Sequence, residues 1–143
     1  MEDKIYMKDF NNNTFIYEPK ESKWELDEML NSNHWNGACV VDNVLYYYDV
    51  FKKKLLAYDP NQRCWKVVKG LEELLSTMRC SWGFHTVSYC GKLVLFFRKM
   101  GIWCAEISLS RRQGGEIWGK VQWCDFVIDD GKFGMVTCLD VTV

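Results

Sequence analysis

One aromatic motif occurs twice in this sequence, 41 residues apart, and this repeat restricts the fold more than any other feature does. Each copy consists of a tyrosine, an acidic residue, a proline and, five positions after the proline, a tryptophan. A repeat period of about 20 to 50 residues indicates that similar supersecondary units follow one another along the chain. The repeated residues are Tyr17, Glu18, Pro19 and Trp24, then Tyr58, Asp59, Pro60 and Trp65.

The motif predicts two antiparallel strands joined by a tight turn. Proline fixes φ at a value that suits the second position of a type I turn, and the preceding acid can accept a hydrogen bond from a turn amide. The tyrosine and the tryptophan then lie near each other on paired strands, where cross-strand aromatic pairs stabilise a sheet. We therefore interpret these aromatic residues first as packing residues.

The rest of the chain follows the pattern of an all-β protein. Short runs of β-branched and aromatic residues alternate with clusters of turn residues, and 15% of the chain is aromatic. The hydrophobic content of 48% and the two prolines exclude the disordered and collagen-like classes. One helical turn is predicted at 71–75. Strands are predicted at 4–9, 13–18, 23–28, 37–42, 44–50, 54–59, 64–68, 84–89, 92–98, 102–109, 116–123 and 133–138.

A third, weaker copy follows the first two. The segment 87–97 matches the strand and turn upstream of the second motif at an offset of 48, and a longer hairpin follows it. The tyrosine, acid and proline are lost in this copy, and Trp118 is predicted to take the place of Trp65. The chain thus contains about three units of one kind.

A four-stranded unit of this length resembles the kelch repeat, one blade of a β-propeller. Nearly the whole chain resembles the C-terminal kelch region of plant F-box/kelch-repeat proteins, most specifically through Trp103, Arg111, Arg112 and the run 116–119. The resemblance implies an incomplete kelch-type propeller of about three four-stranded antiparallel blades over 1–143. The expected units are 1–28, 37–69 and 84–123, with 124–143 starting or closing a further blade.

Two departures from the family pattern affect what the resemblance implies. Kelch units usually carry two glycines after the inner strand, but here Asp42-Asn43 and Cys90-Gly91 occupy those positions. Asn and Asp tolerate left-handed backbone conformations, so we expect the turns to survive. The family also has an N-terminal F-box, and none is expected here because Met1 lies directly before a strand-like segment.

Composition excludes several partners and sites. A net charge of -1 gives no field to attract nucleic acid, and the first twenty residues contain no apolar segment for secretion or membrane insertion. The seven cysteines have no CxxC pair, so we expect free thiols on strands in a reducing compartment, cytoplasmic or nuclear. No cofactor and no metal site are predicted.

No residue set predicts catalysis, so the protein is not expected to be an enzyme. His34 and His85 have no second ligand at a suitable spacing, and no nucleophile or phosphate-loop motif occurs. The lysines at 52–54 are interpreted as solvating a hairpin turn, and the acids at 125, 129 and 130 as a solvated loop.

The resemblance instead implies a protein-interaction module like the substrate-recognition domain of F-box/kelch ubiquitin-ligase subunits. Candidate contacts with an unidentified protein partner are His34, Trp35, Arg79 and Trp82, in the stretches between units. We expect no binding to the ubiquitin-ligase adaptor. Three blades are fewer than the four that a closed ring needs. The chain is therefore expected either to complete its ring with a second copy or with a partner, or to be a truncated or decaying paralogue with no independent activity.

Overall fold

A computed structural model of the chain describes residues 3–129. Within that range eleven strands form three antiparallel sheets, and strands that follow one another along the chain are neighbours in each sheet. The all-β class and the incomplete propeller of about three blades are thereby confirmed. The predicted strand at 133–138 lies outside the described residues.

Each sheet is a simple meander of three or four strands. The first contains β1 (Ile5–Lys8), β2 (Thr14–Glu18) and β3 (Lys23–Leu26). The second contains β4 (Cys39–Val41), β5 (Val44–Asp49), β6 (Lys54–Asp59) and β7 (Cys64–Val67). The third contains β8 (Trp82–Tyr89), β9 (Lys92–Arg98), β10 (Ile102–Arg111) and β11 (Ile117–Ile128).

Two short helices follow the outer strands of the first two sheets. The predicted helical turn is present as α2 (Glu72–Thr77), and α1 (Glu28–Asn31) occupies a place where the sequence predicted the end of a strand. The chain turns into α1 because the Asp27 carboxylate accepts the N–H of Leu30 at 3.0 Å, which caps the first turn. A 3₁₀ turn at Gln113–Gly115 joins β10 to β11.

The strand register shows which residues are equivalent in the three sheets. We call residues directly opposite one another across a sheet a rung. Three equivalent rungs are Ile5–Tyr17–Trp24, Leu45–Tyr58–Trp65 and Leu93–Ile107–Val121.

This register corrects the prediction for the third copy of the motif. Val121, and not Trp118, takes the place of Trp65, because the hairpin of β10 and β11 extends three rungs further and sets Trp118 opposite Ser110. Trp118 instead lies under the Arg112 guanidinium, whose carbon is 3.9 Å from the centre of its ring. The first copy also departs from the offset of 41 in its first strand. Ile5 of β1 is equivalent to Leu45 of β5, which lies 40 positions later in the sequence.

Apolar side chains fill the two spaces between consecutive sheets. Leu30 of α1 packs against Leu45 and Tyr58 between the first and second sheets. The larger cluster between the second and third sheets includes Leu74 of α2 and alternate residues of β5 and β9. Each helix therefore packs onto the sheet that follows it, and this packing joins one blade to the next.

The turns between the first two strands of the second and third sheets have the predicted left-handed backbone. Asp42 and Asn43 have φ values of 45° and 64°, and Cys90 and Gly91 have values of 49° and 71°. Two consecutive residues with positive φ are typical of the type I′ hairpin turn, whose twist matches that of the strands. The turns therefore persist although only one of the four positions is glycine.

Two local expectations were wrong. The segment around Asp125 is not a loop, because β11 continues to Ile128 and pairs Asp125 with Cys104. The six described cysteines are not all apolar strand residues, because Cys80 and Cys90 lie exposed in turns. Cys138 lies outside the described residues.

Candidate functional site

The second copy of the aromatic motif joins the first sheet to the second. The Tyr58 hydroxyl donates a hydrogen bond to the Asp27 carboxylate at 2.6 Å, and Asp27 is the residue that caps α1. Burial and this hydrogen bond raise the pKa of Tyr58, so the phenol remains a donor at neutral pH. Tyr58, which belongs to the repeated rung, thus also holds α1 in place through Asp27.

Trp65 completes this contact. Its indole N–H donates to the carbonyl of Met29 in α1 at 2.7 Å, and its ring lies 5.2 Å from the ring of Tyr58. The turn between β6 and β7 has the predicted hydrogen bond, from the N–H of Asn61 to Asp59 at 2.9 Å. The first copy forms a similar aromatic pair, since the rings of Tyr17 and Trp24 lie 4.6 Å apart.

One end of the sheets carries the turns that connect the second and third strands of each blade. Because successive strands run in opposite directions, these turns lie at the same end as the chain segments that leave the outer strands. Two lysines connect the turns to those segments: Lys52 donates to the side chain of Asn33 at 2.7 Å, and Lys99 donates to the carbonyl of Thr77 at 3.0 Å.

Each of these three turns presents a large apolar side chain that is almost fully exposed to solvent. Phe10 lies between β1 and β2, Phe51 between β5 and β6, and Met100 between β9 and β10. Their exposed fractions are 107%, 89% and 91%. We call this set the tip surface. Sequence reasoning missed all three residues, although a large apolar residue in a turn of Asn or Lys is the signal that marks them.

Acidic residues fix the backbone of two of the three tips. Asp9 accepts the N–H groups of Asn11 and Asn13, and Asp49 accepts those of Phe51 and Lys52, all at 2.8 to 3.0 Å. An acceptor that starts a turn in this way restricts its conformations. The turns at Phe10 and Phe51 are thus held by an acidic residue, and in the turn at Met100 the N–H of Lys99 donates to the carbonyl of Gly101 at 2.9 Å.

The carboxylate of Asp49 is ionised at neutral pH. Burial alone would raise its pKa, but the N–H of Lys52, the Tyr47 hydroxyl, the Lys52 ammonium and the N–H of Phe51 together outweigh burial and lower the pKa. The Tyr47 hydroxyl donates to the second oxygen of this carboxylate at 2.9 Å. The tip is therefore linked to the buried part of the second sheet.

Three of the four predicted contact residues lie on the segments between sheets, and Trp82 is the first residue of β8, all at the same end as the tips. His34, Arg79 and Trp82 are exposed, which leaves them accessible to a partner. Trp35 is half-buried against the cluster between the first two sheets, and its indole N–H donates to the Thr14 hydroxyl at 3.3 Å. Trp35 therefore packs between blades.

An apolar cavity lies between α2 and the third sheet. It has a volume of about 400 Å³ and an apolar wall. Trp103 is fixed in this wall by its N–H, which donates to the carbonyl of Lys99 at 3.0 Å. The lining residues are Glu73, Leu74, Thr77, Phe97, Lys99, Trp103, Val121 and Cys124.

Residues 3–129 contain no group of three or more His, Cys, Asp and Glu side chains that could hold a metal ion. His85 lies on β8 and His34 on the segment before β4. No helix in the same range is long and apolar enough to span a membrane.

The three meanders have three or four strands each and share one tip end, and two of them carry the aromatic rung. This arrangement defines a section of a propeller built from kelch-type repeats. The family model described as FKB95, Kelch-repeats domain, matches residues 1–128, and the chain belongs to this family. No solved structure matches the chain.

Curated proteins similar to the chain include several from Arabidopsis thaliana. One F-box/kelch-repeat protein is 51% identical over 144 residues, covering 98% of this chain and 38% of the relative. A putative F-box/kelch-repeat protein is 37% identical over 154 residues, covering 100% and 40%. Another F-box/kelch-repeat protein is 36% identical over 148 residues, covering 100% and 38%. The chain thus spans about two fifths of the length of these relatives.

Proposed function

We propose that the chain is a protein-interaction module that binds a protein partner through the tip surface. The single observation that carries this proposal is the near-complete exposure of Phe10, Phe51 and Met100 on ordered turns at one end of the blades. Large apolar side chains that remain in water at one end of a fold are typical of sites that bind another protein.

The charges beside the tips indicate the chemistry of the partner. Lys52 and Lys53 follow Phe51, and Lys99 precedes Met100. Lysines at the rim of an apolar contact favour a partner with acidic residues around its own apolar centre. We therefore propose an acidic, partly apolar protein surface as the ligand, with His34, Arg79 and Trp82 as additional contacts.

The relatives are named for an F-box as well as for kelch repeats. We propose that the kelch section selects the target protein in an assembly that also contains an F-box. We further propose that this section carries out no catalytic step. The exposed thiols of Cys80, Cys90 and Cys124 fit a reducing compartment, either cytoplasm or nucleus.

Comparative capture from a plant extract tests the tip surface. The bait chains are the unchanged protein, a triple variant with Phe10→Ser, Phe51→Ser and Met100→Ser, and the control Tyr89→Ser. Tyr89 is half-exposed at the end of β8 opposite the tips. We expect the unchanged chain and the Tyr89→Ser control to capture the same proteins, and the triple variant to fail to capture them. Equal capture by all three baits would reject the tip surface.

The exposed apolar face of the first sheet favours a second interpretation, in which the chain is a decaying copy without independent activity. Trp24 and Leu26 are each about half-exposed on that face. A decayed copy is expected to aggregate, whereas a working module is expected to be monodisperse and to unfold cooperatively on heating. Light scattering during a thermal scan separates the two. We propose the working module, with self-association completing the ring.

A further inference from the structure

The cavity between α2 and the third sheet has the dimensions of a small-molecule site. Its walls come from two elements, because Leu74 and Thr77 lie on α2, whereas Phe97, Trp103 and Val121 lie on the third sheet. Sites that bind small molecules are typically concave and mostly apolar, carry a few polar groups and have volumes of about 300 to 1,000 Å³. The cavity volume of about 400 Å³ falls in this range.

The aromatic wall of the cavity is held in one orientation. The indole N–H of Trp103 donates to the carbonyl of Lys99 at 3.0 Å. The Trp103 ring is stacked beside Phe97, with centres 6.4 Å and planes 12° apart, and Phe126 lies at 80° to it with a centre 5.9 Å away. Phe97 and Leu74 are 3% and 5% exposed, so they are anchored in the core. A flat ligand therefore enters a wall that is already formed, which lowers the entropic cost of binding.

Two opposite charges lie at the rim of the cavity. The Lys99 ammonium donates to the carbonyl of Thr77, the last residue of α2, at 3.0 Å. Glu73 lines the same cavity from four residues earlier in α2, a distance of about 6 Å along a helix. Within residues 3–129, neither Lys99 nor Glu73 belongs to an ion pair. The rim thus offers a cation and an anion about one helical turn apart.

We propose that this cavity binds a small aromatic zwitterion of the size of a free aromatic amino acid. The ring of the ligand lies against Trp103, its carboxylate accepts a hydrogen bond from Lys99, and its ammonium group donates to Glu73. A ligand with a single charge would leave one of the two rim charges without a partner. The inference goes beyond the tip surface, with which the cavity shares only Lys99.

The size of the cavity agrees with such a ligand. A volume of about 400 Å³ equals that of about 13 water molecules in the liquid. Free tryptophan has about 15 non-hydrogen atoms, and covalently bonded atoms occupy less volume each than water molecules do. The cavity therefore holds a fused pair of rings with a short charged side chain.

Calorimetry on the full chain with four probes that share the indole ring tests the charge pattern. The probes are tryptophan, indolepropionate without the ammonium group, tryptamine without the carboxylate, and N-acetyl-tryptophanamide without either charge. The Kd for tryptophan is expected at or below about 0.5 mM, from the affinity per atom of small ligands. Each loss of a charge is expected to weaken binding about three- to fivefold, as for ion pairs at an exposed rim.

Two variants assign each charge of the ligand to its residue. Glu73→Gln is expected to abolish the preference for tryptophan over indolepropionate, and Lys99→Met is expected to abolish the preference over tryptamine. The matched controls are Glu72→Gln and Lys120→Met, at exposed positions that do not line the cavity. Both controls are expected to keep both preferences.

Thiol alkylation determines where the ligand binds. Cys124 lines the cavity, whereas Cys90 is also exposed but lies in the turn between β8 and β9, at the end away from the tips. Iodoacetamide labelling is read for each cysteine by peptide mass spectrometry. With tryptophan at ten times its Kd, labelling of Cys124 is expected to slow about tenfold, and labelling of Cys90 is expected not to change.

The contrary results are distinct. No detectable binding of tryptophan at about 5 mM, ten times the expected limit, rejects the site. Equal affinity for tryptophan and N-acetyl-tryptophanamide rejects the zwitterion and indicates a side chain of a protein partner instead. Binding without protection of Cys124 rejects this location. The triple tip variant is expected to bind tryptophan unchanged, so loss of the proposed tip function and failure of this inference are separable.

Discussion

Tyr58 and Asp27 lie 31 positions apart in sequence and form a hydrogen bond of 2.6 Å between neighbouring sheets. Asp27 is 4% exposed and Tyr58 is 1% exposed. Because water has little access to either side chain, both depend on this contact for a hydrogen-bond partner. The same carboxylate caps α1, which packs onto the sheet that carries Tyr58. One buried carboxylate therefore links the local structure of the first blade to its packing against the second.

Tyr58→Phe is expected to lower the free energy of unfolding by about 1.5 to 3 kcal/mol, the range for hydrogen bonds to charged groups. The substitution retains the ring and leaves the Asp27 carboxylate without one of its donors. Chemical denaturation followed by tryptophan fluorescence measures the change. A loss below about 0.5 kcal/mol would mean that the hydrogen bond contributes little to joining the sheets.

Trp65→Ala is expected to cost about 3 kcal/mol, the lower end of the range for large aromatic residues, because the ring is only half-buried. The change removes the contact with Tyr58 and the donor to the Met29 carbonyl. The control is Trp82→Ala, since Trp82 is 53% exposed. Equal losses for the two variants, measured by urea denaturation, would contradict the packing role of Trp65.

Asp49→Asn is expected to destabilise the protein at neutral pH and to have a progressively smaller effect in acid. The pKa of Asp49 is lowered by folding, so its charge contributes stability above the ordinary value of 3.8. That contribution is lost as the pH falls through the folded pKa. Unfolding free energies of both proteins from about pH 7 to about pH 3 test this. A difference independent of pH would contradict the assignment.

Cys90→Gly is expected to raise stability by about 0.5 to 1 kcal/mol. Cys90 has a φ of 49°, and a left-handed conformation costs a residue with a side chain about 1 to 2 kcal/mol, part of which the flexibility of glycine offsets. Cys80→Gly serves as the control, because Cys80 is also exposed but has no such conformation. Denaturant midpoints should move in opposite directions, and parallel shifts would contradict the argument.

The sequence predicted most of the sheet structure because the signals for it are local. Proline and the acid before it specify the turn at Pro60, and the periodic apolar runs specify the strands on either side. The left-handed turns at Asp42 and Cys90 were also predictable, since they occupy the glycine positions of the repeat. These features depend on neighbouring residues alone.

The features that the sequence did not predict depend on contacts between distant residues. The segment after Asp27 becomes helical because it packs beneath Tyr58, and the strand propensity of β3 carries no information about that partner. Trp118 has the sequence neighbours of an outer strand, but the length of β10 moves it three rungs from the expected place. The tip surface is recognisable only when its three turns are known to share one end.

A double-mutant cycle on Tyr58 and Asp27 tests most directly whether the repeated rung holds one blade against the next. The proteins compared are the unchanged chain, Tyr58→Phe, Asp27→Asn and the double variant, with unfolding free energies measured at one protein concentration. We expect a coupling of about 1 to 2 kcal/mol, within the range for directly hydrogen-bonded partners. Additive losses, with a coupling near zero, would contradict the account.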